Sequence, residues 1–217
     1  MFKFRNKKID HKKKQFRNLV NLGLQIYKEN PNALQAYING LARKVQYQRF
    51  VDYAMSDMHA APHNRQEDFF GRFFNKNAEY ELLERLRSDP PEQMIDLSTD
   101  TVIAEPWHHG RFISCMETIG EPENPWKEHK TNHLGFTFLP SKITWIGGGN
   151  HSITTGILKN TGTFQTTEVY DLSKIFDSIY SDGIFFWNKD AKERISQVIF
   201  LEFAAIYEIE RQVRRVQ

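Results

Sequence analysis

The stretch Ile143-Thr144-Trp145-Ile146-Gly147-Gly148-Gly149-Asn150-His151-Ser152-Ile153-Thr154-Thr155-Gly156-Ile157-Leu158 changes texture twice. Ile143 to Ile146 are apolar and partly β-branched, which predicts a short strand. Three glycines follow and free the backbone for positive φ and for close approach to a ligand. Asn150 is placed to cap a helix whose apolar pair, Ile153 and Ile157, has helical spacing. A glycine turn feeding a helix start presents unpaired N–H groups and the positive end of a dipole, which suits a phosphate. Gly148, Gly149 and Asn150 are the candidate backbone donors. His151 and Ser152 stand in the first turn as candidate catalytic or contact residues. No GK[ST] follows and the G-x-G-x-x-G spacing is missing, so the same stretch also serves as a tight turn that binds nothing. Gly156 lies inside the helix, where glycine costs about 1 kcal/mol relative to alanine. It is therefore expected to be buried and to face an adjacent strand, unless the helix ends early and Gly156 closes it.

Upstream of this stretch the texture is helical. Phe16, Leu19, Val20 and Tyr27 form one stripe of a first helix, over residues 10–29. Asn30-Pro31 stops it and starts a second helix running toward Met58, with Asn30 as cap and Pro31 at the first helical position. A third helical region, residues 64–87, carries Phe69, Phe70, Phe73 and Phe74. Asp89-Pro90-Pro91-Glu92 reads as a linker. Short strands follow at Met94–Leu97, Thr101–Ala104 and Phe136–Leu139, with a short helix through Phe112 and Met116 closed by Gly120. After the central helix come a strand over Phe164–Tyr170 and a last strand at Gly183–Trp187. A long helix from Asp190 to Arg215 then turns Ile195, Val198, Ile199, Phe203, Ile206 and Ile209 inward.

The order of elements gives an α+β fold in three parts. Residues 1–90 form a helical region with a basic leading arm, 91–187 a small mixed-sheet unit, and 188–217 a C-terminal helix, buried against the N-terminal helices or in a homodimer. With 217 residues, 40% hydrophobic and 26% charged, the chain can build a real core. No apolar run approaches a membrane span, the basic N-terminus lacks the apolar centre of a signal peptide, and Cys115 is the single cysteine. A cytoplasmic protein without membrane attachment is the expectation. The net charge of +2 is uneven: residues 1–17 hold eight Lys/Arg against Asp10, whereas the other 200 residues hold 21 basic and 26 acidic groups. Such an arm attracts nucleic acid weakly and without sequence preference.

Laid out as strand, glycine turn with histidine, helix and strand, residues 93–172 resemble the ParB/sulfiredoxin superfamily. Its core carries a strand ending in a G-x-H-R or G-G-C-H-R type motif, where Ile146-Gly147-Gly148-Gly149-Asn150-His151-Ser152 stands here. Gly162 and Thr167-Glu168-Val169-Tyr170-Asp171 match its later glycine and strand. The resemblance implies a nucleotide or phosphorylated ligand, with phosphotransfer or nuclease activity open to it. A nucleoside triphosphate is the implied cofactor, with divalent metal entering only through it. Family members include a CTP switch in chromosome partition, an ATP-dependent sulfinic-acid reductase, amino-acid kinases and nucleases. Two departures weigh against direct transfer. The arginine after the histidine is Ser152, which leaves Arg111, Lys142 or Lys159 to supply charge. The reductase cysteine is Asn150. The whole chain also resembles an uncharacterised bacterial and phage family sharing the GNHS stretch, which implies no activity. The alternative is a non-catalytic interaction protein of a phage or mobile element, acting through a binding surface.

Other constellations are weaker. His129 and His133 are four apart with His108, His109, Glu105 and Glu128 nearby, but they fall in an irregular segment near Pro125. His59 and His63 flank Pro62. No metal site is assigned. A Ser152–His151 or Ser152–His133 pair with Asp171 lacks the G-x-S-x-G elbow of a hydrolase. Trp107 and Trp126, both in Pro-Trp pairs, are expected in the core.

Overall fold

The computed structural model describes residues 2–57, 84–88 and 93–215. Most of the expected third helix with its four phenylalanines, the linker after Asp89, and both His59 and His63 lie outside them. The fold is α+β, with N-terminal helices, small sheets and a C-terminal helix. No helix among the described residues is long and apolar enough to cross a membrane. The chain divides into two compact units that do not follow its linear order. One contains residues 2–41, 84–86 and 172–215, and the other residues 42–57, 87–88 and 93–171.

The first unit is built on α1 (Phe2–Glu29) and the start of α2 (Leu34–Ala54). Asn30 accepts from the Asn32 N–H with its side chain and Pro31 opens a 3-10 turn between the helices, as the Asn-Pro pair predicts. Phe16 and Val20 are buried. A 3-10 turn (Leu172–Ile175) leads to an antiparallel sheet of β7 (Ile179–Ser181), β8 (Phe185–Asn188) and β9 (Glu193–Gln197), in that order. The final helix, here α5, spans Leu201–Arg214. The expected helix from Asp190 therefore starts eleven residues late, and Gly183–Trp187 does not hold the last strand. The Asn188 side chain accepts from the N–H groups of Asp190 and Ala191, and Lys192 takes φ 56°, which turns the chain back as β9. Phe203, Ile206 and Ile209 are buried on α5 as expected, and Tyr207 with them, whereas Ile199, expected inward, precedes the helix and is exposed. Gly23 lets α1 approach α5, since a Cβ there would sit 2.6 Å from Ile209 Cδ1.

The second unit holds a four-stranded sheet ordered β2 (Thr101–Ile103), β4 (Ile143–Gly148), β3 (Leu134–Leu139), β6 (Glu168–Asp171). β3 and β4 are antiparallel, while β2 and β6 join them as parallel outer strands. Ile143, Thr144, Trp145 and Ile146 are all buried because β4 is central, which is why that segment does not alternate. Beside this sheet lies an antiparallel pair of β1 (Met94–Asp96) and β5 (Thr163–Gln165). The single strand expected over Phe164–Tyr170 is thus two strands of two sheets. Thr166 donates its N–H to Gln93 and Thr167 to Gly135, so the chain changes sheets between them.

Two helices complete this unit, α3 (His109–Thr118) and α4 (Asn150–Lys159). The core under α4 joins Ile95, Leu97, Val102, Trp126, Ile146, Ile153 and Phe164. Trp126 lies there as expected, its indole N–H donating to the Ser152 carbonyl at 2.8 Å. Gly156 is buried with a helical φ, so α4 does not end at it. Its neighbours are not a strand backbone, however. A Cβ would meet Leu97 Cδ1 at 2.4 Å, Thr161 O at 2.7 Å and Trp126 Nε1 at 2.9 Å.

Candidate functional site

β4 delivers Gly147 and Gly148 to the start of α4, and each glycine there answers a neighbour in the chain. A Cβ on Gly147 would fall 2.6 Å from the Phe136 ring, and one on Gly148 2.5 Å from the Asn132 carbonyl. Gly149 takes φ 75° and caps α4, with His133 Cδ2 2.3 Å from where its Cβ would stand. The triple glycine is accounted for by packing and by one left-handed residue. Asn150 is accordingly not the N-cap but the first helical residue.

The next three side chains tie the surrounding loops to α4. Asn150 Oδ1 accepts from the Glu105 N–H at 2.8 Å. His151 Nε2 accepts from the N–H groups of His108 at 3.1 Å and Trp107 at 3.4 Å. Its proton is therefore on Nδ1. Burial first, then the positive charge of Arg111 and the neighbouring His108, push its pKa down to about 4. His151 is a neutral acceptor at neutral pH rather than an acid–base group poised near it. Ser152 Oγ donates to the Gly149 carbonyl at 3.0 Å.

His133 reaches the same hydroxyl. Its Nδ1 accepts from the His129 N–H at 2.9 Å, so Nε2 carries the hydrogen and donates to Ser152 Oγ at 2.8 Å. The ring is buried and stacks on Trp126 with centroids 4.9 Å apart. Burial, helped by His129 and opposed by Glu128, lowers its pKa. The Ser–His pair is real, but the proton is on the wrong atom for a base. Asp171, the third member considered, ends β6 opposite Leu139 and does not line the cleft.

What remains open is a cleft of about 550 Å³ in front of the α4 N-terminus. Its walls are Gly147 to Ser152 on one side, Trp107, Arg111, Ser114 and Cys115 on the other, and Asn132 at one end. α3 supplies the second wall because His108 caps it, accepting the Arg111 N–H through Nδ1 at 3.2 Å. Arg111 lies over the Trp107 ring, 5.0 Å from its centroid. Trp107 is 42% exposed, so it is a rim residue and not the core residue expected. Of the three candidate cations only Arg111 reaches the cleft. Lys142 precedes β4, at the strand end away from the cleft, and Lys159 ends α4, where it binds the Ile119 carbonyl at 2.8 Å and Glu121 at 2.6 Å. The N–H groups of Asn150, His151 and Ser152 precede the first intrahelical bond, which Ile153 makes to Gly149. No carboxylate is among the cleft's described lining residues. The Cys115 thiol on the α3 wall is pushed up by burial and stays protonated.

No group of three His, Cys, Asp or Glu among the described residues is arranged to hold a metal ion. His129 and His133 meet ring edge to face, 6.5 Å apart, and both His133 nitrogens are engaged. The contacts that sequence reasoning missed are nonlocal: His108 and Glu105 as backbone partners of the GNHS segment, and Asn132 and Cys115 on the cleft wall. Nothing in their local sequence marks them.

Fold and site together define an α+β protein whose cleft is formed by two helix starts and a glycine turn. The chain belongs to a family of unknown function, DUF6710, whose profile matches residues 2–217. No curated protein and no solved structure matches it significantly.

Proposed function

We propose that the cleft binds a small phosphate-bearing ligand, a nucleotide in the first instance, without a covalent step. One observation carries this reading: three N–H donors unspent within α4 face Arg111 across a cleft wall free of carboxylates among its described residues. A helix start of this kind favours an anion, and a guanidinium beside it binds phosphate through paired donors. Trp107 at the rim offers an aromatic face of the size of a base once Arg111 moves to the phosphate. The resemblance of the β4–turn–α4 segment to the ParB/sulfiredoxin superfamily supports the same ligand class. Phosphotransfer or nuclease chemistry has less support, because His151 is neutral with Nε2 engaged and Ser152 is tied to Gly149.

Calorimetry with inorganic phosphate, ADP, ATP, CTP and GTP tests the proposal. Heat with at least one of them, reduced about tenfold or more in affinity by Arg111→Gln, is the expected outcome. No heat with any of them, at concentrations that detect sub-millimolar binding, overturns it. The second reading, an interaction protein without a small ligand, is favoured by the way Asn150, His151 and Ser152 all bind the chain's own groups. It gains if Arg111→Gln abolishes a biological effect while no ligand binds.

A further inference from the structure

We infer that the outward face of α1 is a binding surface for the phosphate backbone of nucleic acid. The inference concerns the compact unit that lacks the cleft and is independent of the proposed ligand. The basic N-terminal segment is not a loose arm but part of a 28-residue helix. A helix sorts its cations by direction, and two of them turn inward. Lys12 Nζ donates to the Val198 carbonyl at 3.1 Å, and Lys13 pairs with Asp182 at 3.2 Å. Lys7, Lys8, Lys14 and Arg17 are exposed, and Asp10 is the only acid between Phe2 and Lys28.

Positions 7, 11, 14, 18, 21 and 25 repeat at helical spacing and hold Lys, His, Lys, Asn, Asn and Gln, all exposed. Neighbours on such a row stand about 5–6 Å apart. Lys7 and Lys14 are two turns apart, about 10 Å, with His11 between them, and Lys8 and Arg17 flank the row on opposite sides. The cations can thus meet separate phosphates while the amides that continue the row donate to phosphate oxygens. The row itself has no apolar member. Phe16 and Val20 are spent on the unit's own core, and the exposed large apolar residues among those described in α1, Ile9 and Leu22, stand singly rather than as a patch that could enter a lipid surface. A helix face that sets Lys7, Lys8, Lys14 and Arg17 beside neutral donors suits a dense, regular polyanion better than a scattered acidic protein surface. Such contacts read charge rather than sequence.

The test is fluorescence anisotropy of labelled single-stranded and duplex oligonucleotides of mixed sequence with the full chain, between about 50 and 200 mM salt. Four phosphate contacts predict a duplex affinity that falls about a hundredfold over that range. Replacing four exposed cations together, Lys7→Gln, Lys8→Gln, Lys14→Gln and Arg17→Gln, should flatten the slope of log affinity on log salt by about three to four. Its melting curve should stay that of the parent chain, since these side chains are exposed. Absence of binding at the lowest salt, or unchanged binding by the fourfold variant, overturns the inference. So does poly-glutamate competing as well as duplex DNA at equal charge concentration, which would assign the row to acidic proteins.

Discussion

His133 Nε2 and Ser152 Oγ lie 2.8 Å apart with the hydrogen on the histidine, the reverse of what a nucleophile and its base require. A base needs a free lone pair at Nε2 and an acceptor at Nδ1 to hold the other proton. Here the backbone N–H of His129 points at Nδ1. Ser152 should therefore not react with a fluorophosphonate probe, and mass spectrometry of labelled peptides checks it. Labelling of Ser152 would show that the tautomer inverts. Ser152→Ala leaves a buried imidazole N–H without its acceptor and should cost about 1–3 kcal/mol in denaturant melts.

The depressed pKa of His151 has a defined sign. The folded value of about 4 lies below the ordinary 6.5, so the unfolded chain binds the proton first. The stability this gives is complete above pH 6.5 and is lost as pH falls toward 4. His133, also lowered, acts in the same direction. The melting temperature should drop across that window, and His151→Gln should flatten the drop while lowering stability at neutral pH. An NMR titration that places His151 near 6.5 would contradict the account and restore it as an acid–base candidate.

Gly149 and Gly156 should fail for different reasons. Gly156→Ala keeps a helical backbone but drives a methyl into Leu97, Trp126 and the Thr161 carbonyl, at a cost of about 1–3 kcal/mol. Gly149→Ala adds the left-handed penalty, about 1–2 kcal/mol, to a clash with His133. Thermal melts should rank Gly149→Ala below Gly156→Ala. The reverse order would mean that the turn relaxes out of positive φ without loss.

Much of this site was legible because its signals are local. Three glycines after a β-branched run mark the turn, Asn30-Pro31 marks a helix boundary, and Ile153 with Ile157 marks the helix. What escaped were choices settled by distant partners. Ile195, Val198, Ile199 and Phe203 fit a helical stripe, yet Ile195 lies in a strand because Asn188 folds its side chain over the turn and Lys192 accepts a left-handed backbone. Asn150 has the chemistry of a cap, but Gly149 already supplies the geometry, which frees the amide for Glu105. Thr166 and Thr167 look like the middle of one strand until two different sheets claim their N–H groups.

Arg49 on α2 and Glu105 form a buried ion pair within the second unit, with Arg49 also 5.4 Å from the Trp145 ring centroid. Glu105→Gln should cost up to about 3–5 kcal/mol by removing the carboxylate charge that faces a buried guanidinium. Arg49→Met in that background should recover part of the loss in a double-mutant cycle. Strict additivity of the two changes would mean that the pair contributes no coupling.

The four-stranded sheet also prescribes an order of assembly. Its central pair, β3 and β4, is separated by only three residues and joined across its buried face by Thr137 and Thr144, whose hydroxyls lie 2.7 Å apart. β2 and β6 must each be brought in over a long loop, with its closure entropy spent before any pairing is gained. The hairpin is therefore expected to form first, with both outer strands adding to it. Substitutions at Thr137 or Thr144 should therefore slow folding, whereas substitutions at Val102 or Val169 should chiefly speed unfolding.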